Sequence, residues 1–162
     1  MKIKKNYNCY IANDNSNGQQ VVSGRSSDIE LLMKDLKKNN IKSIKLPVSA
    51  PFHCNLMNNA TKIMKDEIQR SDFKNPINTL ISNVTNEEVK DFSILKELLV
   101  KQIESKVRWR ENVNFMIEKG TKKFIEIGPG KVLSGLIKRI DRNVVVNSIN
   151  SEEDIKKINI ND

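Results

Sequence analysis

Short strand-forming segments alternate with amphipathic helical segments along most of the chain. The clearest case is residues 123–140, where a strand-like segment is followed by Gly-Pro-Gly and then by apolar residues at helical spacing. Each such helix must bury its apolar face, and a sheet is the usual surface for it. The pattern therefore predicts an α/β architecture, with strands at residues 8–12, 19–23, 43–49, 79–83, 123–127 and 144–146 and helices at residues 27–38, 55–70, 92–103, 109–119, 132–140 and 151–157.

The first two strands are predicted to form a hairpin. Residues 8–12 and 19–23 flank the sequence Asn-Asp-Asn-Ser-Asn-Gly, a cluster of residues that favour turns. This interpretation places Asn13 and Asn15 in a loop, from which their side chains could contact a ligand. The next predicted strand contains Pro47, which has no N–H to donate to a ladder, so we expect that strand at a sheet edge or that residue at a strand end.

The composition argues against membrane and nucleic-acid functions. The chain has 162 residues, enough for a buried core, and no apolar run approaches the roughly 18 residues of a membrane-spanning helix. The net charge is +8, but lysine supplies 22 of the 28 basic residues and aromatic residues make up only 5%, so few rings can stack on bases. We therefore expect a solvated basic surface, with no nucleic-acid partner and no membrane association.

The cysteines and the amino terminus bear on localisation. Cys9 and Cys54 are too few for a disulfide framework or a four-ligand zinc site, so we expect no metal. The first residues are basic but are followed by polar residues, and not by the apolar stretch of a secretory signal. A reducing, cytoplasmic compartment is the expected location.

The single histidine, His53, is the first candidate for chemistry. It lies between a predicted strand and a predicted helix, where open α/β folds present reactive side chains. The alternative is a structural or merely exposed histidine. A nucleophilic Cys54 paired with it is disfavoured, because neighbouring side chains entering a helix point about 100° apart.

Two further features have both a functional and a structural interpretation. Gln102 falls on the inward face of its predicted helix, where an amide needs hydrogen-bond partners; a helix-end glutamine bonded to local carbonyls is the alternative. Residues 128–131, Gly-Pro-Gly-Lys, precede a helix whose free N–H groups could hold a phosphate. They match neither the P-loop nor the G-x-G-x-x-G motif, which favours a structural turn.

Five segments, in order along the chain, resemble the carboxy-terminal half of malonyl-CoA:acyl carrier protein transacylases, members of the acyltransferase family of fatty acid and polyketide synthesis. They are residues 11–24 (IANDNSNGQQVVSG), 46–57 (LPVSAPFHCNLM), 81–85 (ISNVT), 102–109 (QIESKVRW) and 126–140 (EIGPGKVLSGLIKRI). The resemblance implies part of an inserted ferredoxin-like subdomain at residues 1–49. It implies part of an α/β-hydrolase-like acyltransferase domain at residues 50–162.

The resemblance also implies roles for individual residues. His53 corresponds to the general base that takes a proton from a serine nucleophile, and Gln102 to the residue whose backbone carbonyl accepts a hydrogen bond from that imidazole. Asn13 and Asn15 correspond to asparagines that face the acyl pocket, and Phe52 to a residue that helps to select malonyl. The implied reaction moves malonyl from malonyl-CoA to acyl carrier protein by a ping-pong mechanism in fatty acid synthesis, with no cofactor and no metal.

The family pattern is incomplete in this chain. The family's serine lies in a G-x-S-x-G elbow, and none of the six glycines here brackets a serine at that spacing. The family's oxyanion-hole glutamine and carboxylate-binding arginine also belong to the amino-terminal half, and Lys106 replaces a proline that is usual in a loop. We therefore expect an incomplete, inactive fragment, from a truncated sequence or a split gene, whose partner is the missing amino-terminal half. A non-catalytic remnant that binds the acidic carrier protein is the alternative.

Overall fold

The computed structural model describes residues 7–158 and contains both helices and strands, in agreement with the predicted α/β class. No helix in this range is long and apolar enough to cross a membrane. The strands are β1 Tyr10–Ser16, β2 Gln19–Ser23, β3 Leu80–Ile81, β4 Glu88–Val89, β5 Lys123–Ile127 and β6 Val145–Ile149. The helices are α1 Ser26–Lys38, α2 Asn58–Arg70, α3 Phe92–Gln102, α4 Trp109–Glu118, α5 Val132–Ile140 and α6 Glu152–Lys157, and a 3-10 turn at Asn55–Met57 precedes α2.

β1 and β2 form the predicted antiparallel hairpin, with a tight turn at Asn17 and Gly18. Asn-Gly suits such a turn, since Gly18 has a φ of +75° that costs glycine little. β1 is longer than predicted, because this dipeptide alone makes the turn. Asn13 and Asn15 therefore lie in a strand, and the prediction that they lie in a loop was wrong.

The predicted strand at residues 43–49 pairs with no other strand in the part of the chain that the structure describes. Pro47 accounts for this, because it has no N–H to donate to a ladder. The Val48 N–H instead donates to the carbonyl of Leu46, 2.9 Å away, and closes a tight turn around the proline. The segment is an exposed, irregular connection that leads from α1 to His53, and the prediction of a strand was wrong.

β5 and β6 form a parallel pair, in register from Lys123 opposite Val145 to Ile127 opposite Ile149. α5 lies between them in the chain and packs against both strands. A buried cluster among the described residues joins this sheet to α4 and α5 and consists of Val113, Phe124, Ile137 and Val144. The main apolar core therefore lies on one face of the sheet.

The other face of this sheet is exposed. Side chains alternate along a strand, so Ile125, Ile127 and Val145 lie together on the face opposite α5; we call them the open sheet face. They are 40%, 79% and 52% exposed, respectively. Parallel sheets in α/β proteins are covered on both faces, and a two-stranded sheet is rarely stable by itself. Within residues 7–158 no element covers the open sheet face fully, and its three apolar side chains remain at least 40% exposed.

The segment between α3 and α4 bonds to two separate parts of the molecule. Val107 forms a parallel bridge with β1: the Asp14 N–H donates to the Val107 carbonyl (2.9 Å), and the Val107 N–H donates to the Ala12 carbonyl (2.8 Å). The Arg108 N–H donates to the carbonyl of Asn83, 3.1 Å away in the loop between β3 and β4. This segment therefore joins the β1–β2 hairpin to the rest of the chain.

Glu111, on α4, anchors the same segment through two cations. Its carboxylate pairs with the guanidinium of Arg108, whose Nε lies 2.9 Å from Oε2, and with Lys106 Nζ at 3.2 Å from Oε1. The pKa of Glu111 is lowered from 4.5 to about 2, mainly by the hydrogen bond from Arg108 and further by Lys106. Lys106, which stands where the resembling family usually has proline, thus supplies an ion pair.

The ionised Glu111 predicts a loss of stability in acid. A carboxylate whose pKa is lower in the folded chain stabilises it at pH values above the unfolded pKa, and this contribution is lost as the pH falls from 4.5 towards about 2. Glu111→Gln should therefore lower the unfolding temperature at neutral pH by about 2–4 °C. It should also flatten the decline of that temperature in acid. The fluorescence of Trp109, the only tryptophan in the chain, measures both.

The matched control is Glu118→Gln, which removes an exposed carboxylate from the same helix. It should leave both the unfolding temperature and its pH dependence unchanged. Equal effects from the two substitutions would contradict the assignment to Glu111.

Candidate active site

His53 has a strained backbone in the loop that precedes the 3-10 turn. Its φ is +61°, in the left-handed region that residues other than glycine rarely adopt. Its N–H donates to the carbonyl of Ile103, 3.2 Å away and just beyond the end of α3. Strain of this kind persists only where the surroundings impose it, and it is concentrated at functional sites. The backbone bond to Ile103 thus fixes the loop and brings the half-buried imidazole to the end of α3.

The imidazole of His53 is oriented by one hydrogen bond. Nδ1 lies 2.9 Å from the backbone carbonyl oxygen of Gln102. A carbonyl oxygen can only accept, so in the neutral ring Nδ1 carries the proton and Nε2 keeps its lone pair. The arrangement leaves Nε2 as the basic atom, which is the arrangement that a general base requires.

Gln102 contributes to the site through its backbone, while its side chain bonds locally. It is the last residue of α3, so its carbonyl has no partner within the helix and is free to accept from His53. Its side-chain Nε2 donates to the carbonyl of Ser105, 2.9 Å away. The functional interpretation therefore describes the backbone carbonyl of Gln102, and the structural interpretation describes its side chain.

A cleft of about 290 Å³ opens beside His53. Most of its lining residues are apolar, and the polar ones are Asn13, Ser23 and His53. The lining residues are Ala12, Asn13, Val21, Ser23, Leu46, Val48, Ala50, Phe52 and His53. None of them is a lysine or an arginine, so these residues offer no cation to a ligand carboxylate.

The structure brings four of the five candidate residues together and leaves Asn15 apart. Asn13 and Phe52 line the cleft with His53, and the Phe52 and His53 ring centroids are 6.5 Å apart. Gln102 stands behind the histidine. Asn15, further along β1, is not among the residues that line the cleft.

Cys54 is turned away from this chemistry. It is 1% exposed, and its Sγ donates to the carbonyl of Pro51 at 3.1 Å. It is also absent from the cleft lining. The geometry therefore gives no support to a cysteine nucleophile activated by His53.

Six lining residues were not singled out from the sequence: Ala12, Ala50 and two pairs, one on β2 and one beside Pro47. Val21 and Ser23 alternate along β2 and so face the same side, and both belong to the first segment of the family resemblance. Leu46 and Val48 flank Pro47 in the irregular segment. A period of two in β2 was a usable signal for the first pair, whereas the path of the irregular segment depends on contacts that no local pattern encodes.

The Gly-Pro-Gly turn does not form a phosphate site. The carboxylate of Glu126 accepts from the N–H groups of Leu133 (3.0 Å) and Ser134 (2.7 Å) and so occupies the amino terminus of α5. The pKa of Glu126 lies below its usual value, mainly because of hydrogen bonds from Ser134. In a nearby groove of about 490 Å³, the amine of Lys138 already donates to the Val144 carbonyl at 2.6 Å. The turn is structural, as the motif comparison favours.

Among residues 7–158, no group of three or more histidine, cysteine, aspartate or glutamate side chains is placed to hold a metal ion.

Comparison with known proteins identifies the relatives of this chain, although no protein-family model matches it. A malonyl CoA-acyl carrier protein transacylase of Bacillus subtilis (strain 168) is 40% identical over 147 residues, which are 90% of this chain and 46% of the relative. The enzyme of the same name from Staphylococcus aureus (strain COL) is 39% identical over 152 residues, which are 93% of this chain and 49% of the relative. The chain therefore spans about half the length of the curated relatives it matches.

Solved structures give the same result. The malonyl CoA-acyl carrier protein transacylase of Clostridium perfringens superposes with a TM-score of 0.88 at 36% identity, over 96% of this chain and 49% of that one. The acyl-carrier-protein S-malonyltransferase of Bartonella henselae superposes with a TM-score of 0.87 at 37% identity, over 92% and 48%. A malonyl-transacylase solved in complex with a type II polyketide synthase acyl carrier protein, PlMCAT:AntF, superposes with a TM-score of 0.89 at 30% identity, over 96% and 51%.

The α/β fold of the chain matches about half of the fold of solved acyltransferase structures. More particularly, the chain corresponds to the carboxy-terminal half of the malonyl CoA-acyl carrier protein transacylases, and the resemblance found in the sequence is confirmed.

The bond between His53 and Gln102 makes a direct prediction for nitrogen NMR of the untagged chain, whose only imidazole is His53. In the neutral form of the ring the proton should reside on Nδ1, and Nε2 should show the shift of an unprotonated nitrogen. The chain unfolded in urea is the control, because there the Gln102 bond is lost and both tautomers are populated. A protonated Nε2 in the folded, neutral state would contradict this geometry.

Proposed function

We propose that this chain is the carboxy-terminal part of an acyl-carrier-protein S-malonyltransferase and supplies its histidine base. The observation that carries the proposal is the bond from His53 Nδ1 to the Gln102 carbonyl, which leaves Nε2 basic beside a cleft. The names of the relatives supply the reaction class.

The proposed reaction has two half-reactions that share one proton carrier. His53 Nε2 takes the proton of a serine hydroxyl while the serine oxygen attacks the thioester of malonyl-CoA, and the coenzyme A thiolate leaves with the proton that the imidazolium returns. In the second half-reaction the carrier protein's thiol gives its proton to Nε2 and attacks the malonyl-serine ester. The serine oxygen then recovers the proton. This chain contains no G-x-S-x-G, so the serine must come from a complementary polypeptide segment.

The cleft is proposed to receive the acyl group. The Asn13 amide can hydrogen-bond a carbonyl or carboxylate oxygen, and Phe52 forms an apolar wall next to the imidazole. Because no lysine or arginine lines the cleft, the cation that neutralises the malonyl carboxylate is assigned to the complementary segment. Asn15 does not line the cleft, so we assign it no contact with the acyl group. No step of this scheme uses a cofactor or a metal.

Acyl carrier protein is the proposed partner and acceptor, and fatty acid biosynthesis in the cytoplasm the proposed setting. One structural relative is a malonyl-transacylase in complex with an acyl carrier protein. The net charge of +8 would favour the approach of an acidic partner. Malonyl-CoA is the proposed donor.

The second proposed partner is the amino-terminal half of the same enzyme class, which would cover the open sheet face. The relatives are about twice as long as this chain, which spans 46% and 49% of two of them. The open sheet face is apolar and belongs to a parallel pair, a kind of sheet that is ordinarily buried on both sides. Further strands and helices from the other half would supply the missing cover.

Activity is predicted to require both halves. The chain alone, with malonyl-CoA and acyl carrier protein, should transfer no malonyl group, because its base has no serine to activate. Co-expression with the amino-terminal half of the Bacillus subtilis relative should give transfer, and His53→Ala should lower it by about 10³-fold or more. Asn55→Ala, an exposed neighbour of the histidine, is the control and should retain activity.

Transfer by the chain alone would overturn this proposal. A stable pair of halves with no transfer would favour the alternative, a non-catalytic remnant that binds the carrier protein.

Association of the halves is predicted to depend on the open sheet face. Ile127→Lys would bury a charge in the proposed interface and should weaken co-purification of the two halves at least about tenfold. Leu31→Lys, on α1 and 54% exposed, is the matched control and should leave association unchanged. Equal losses from both substitutions, or none from Ile127→Lys, would rule out this face as the interface.

A further inference from the structure

The carboxylate of Asp14 is buried and paired across the molecule. Asp14 is on β1 and is 5% exposed. Its oxygens accept two hydrogen bonds from Arg110 of α4, from Nε at 3.1 Å and from Nη2 at 2.8 Å. The remaining Arg110 nitrogen, Nη1, lies 3.4 Å from Oδ1 of Asn17 in the hairpin turn. One guanidinium therefore contacts both the strand and the turn of the hairpin.

A pair of this kind fixes position more than it adds stability. Removing the Asp14 carboxylate from water is costly, and the cost is offset only when the geometry is good and its hydrogen bonds are complete. The two-point contact between Arg110 and Asp14 allows one orientation of β1 relative to α4. Displacing the hairpin would leave the Asp14 charge buried without a partner, so the hairpin is held in register.

Residues 102–110, the segment that includes Arg110, also hold the opposite wall of the cleft. β1 is bonded to Val107 through the backbone and to Arg110 through Asp14. On the other side, Ser105 accepts from the side chain of Gln102, whose carbonyl holds His53. Residues 102–110 therefore connect the base to the strand that carries Asn13.

We propose that Arg110 is a positioning residue: through Asp14 it holds β1 so that the Asn13 amide faces the acyl cleft opposite His53. Asp14 and Arg110 do not line the cleft themselves, and they act through Asn13. The consequence for acyl binding rests on the proposed malonyl transfer. The positional claim concerns only the isolated chain, so it can be tested separately.

The first test is NMR of the untagged, isolated chain. Arg110→Met should shift the resonances of the Asn13 side-chain amide, because β1 loses its fixed position. It should also shift those of the His53 imidazole, because its neighbour across the cleft moves while the bond to Gln102 stays. Arg139→Met is the matched control: Arg139 on α5 bonds to Gln19 of the same hairpin at an exposed site, and its loss should leave both resonances in place. Unchanged Asn13 and His53 resonances in a folded Arg110→Met chain would overturn the proposal.

A second variant guards against misfolding. If Trp109 fluorescence shows that Arg110→Met is unfolded, Asp14→Asn removes the charge pair without leaving a buried carboxylate unpaired. It should shift the same two resonances by a smaller amount. The double variant D14N/R110M should have a higher unfolding temperature than R110M, because it no longer contains an unpaired buried carboxylate at position 14. A double variant that is less stable than R110M would contradict the pairing.

The second test uses co-expressed halves. Arg110→Met should raise the KM for malonyl-CoA about tenfold while changing kcat by less than about threefold, because it disturbs acyl binding and leaves the His53 bond intact. Arg110→Lys, which keeps the charge, should recover part of this loss. A fall in kcat alone would overturn the assignment to Asn13. Absence of activity in the unmodified pair would count against the proposed function and would leave the NMR result valid.

Discussion

The parallel bridge between Val107 and β1 is the contact on which the cleft depends. Two backbone hydrogen bonds, to Ala12 and from Asp14, attach the hairpin to the segment that leads from α3 to α4. These bonds satisfy backbone groups and do not depend on side-chain identity. They fix the position of the hairpin relative to the segment between α3 and α4. The ion pair to Arg110 then fixes its rotation. Without the bridge, side-chain contacts such as the Asp14–Arg110 pair would have to hold the hairpin in place.

The orientation of His53 is achieved without burying a second charge. In hydrolase triads a carboxylate takes this place, and a buried carboxylate must itself be desolvated and satisfied. Here the acceptor is a peptide carbonyl that the end of α3 leaves without a partner. The helix end therefore provides a neutral acceptor, and the Gln102 side chain secures it by bonding to Ser105. The left-handed backbone of His53 is the conformational cost of reaching that acceptor.

The sequence predicts the parts of the site that follow from local pattern. His53 stands out as the only histidine and lies just before a helix, although the strand predicted ahead of it does not form. The helical spacing of Gln102 marks it as a residue that needs partners. The position of Asn13 in a strand was not predicted, because a cluster of turn-forming residues does not say which two of them make the turn. The pairing of Asp14 with Arg110 could not be predicted either, since nothing local relates residues 96 positions apart.

That separation also determines when the site comes into existence. The contacts of the hairpin and of each helix are local and form early, whereas closing loops of 49 residues between His53 and Gln102 and of 96 between Asp14 and Arg110 costs chain entropy before any bond is gained. During synthesis the hairpin leaves the ribosome before α4, the helix that carries its partner Arg110. The cleft is thus a late product of folding, absent from the nascent chain until α4 has left the ribosome.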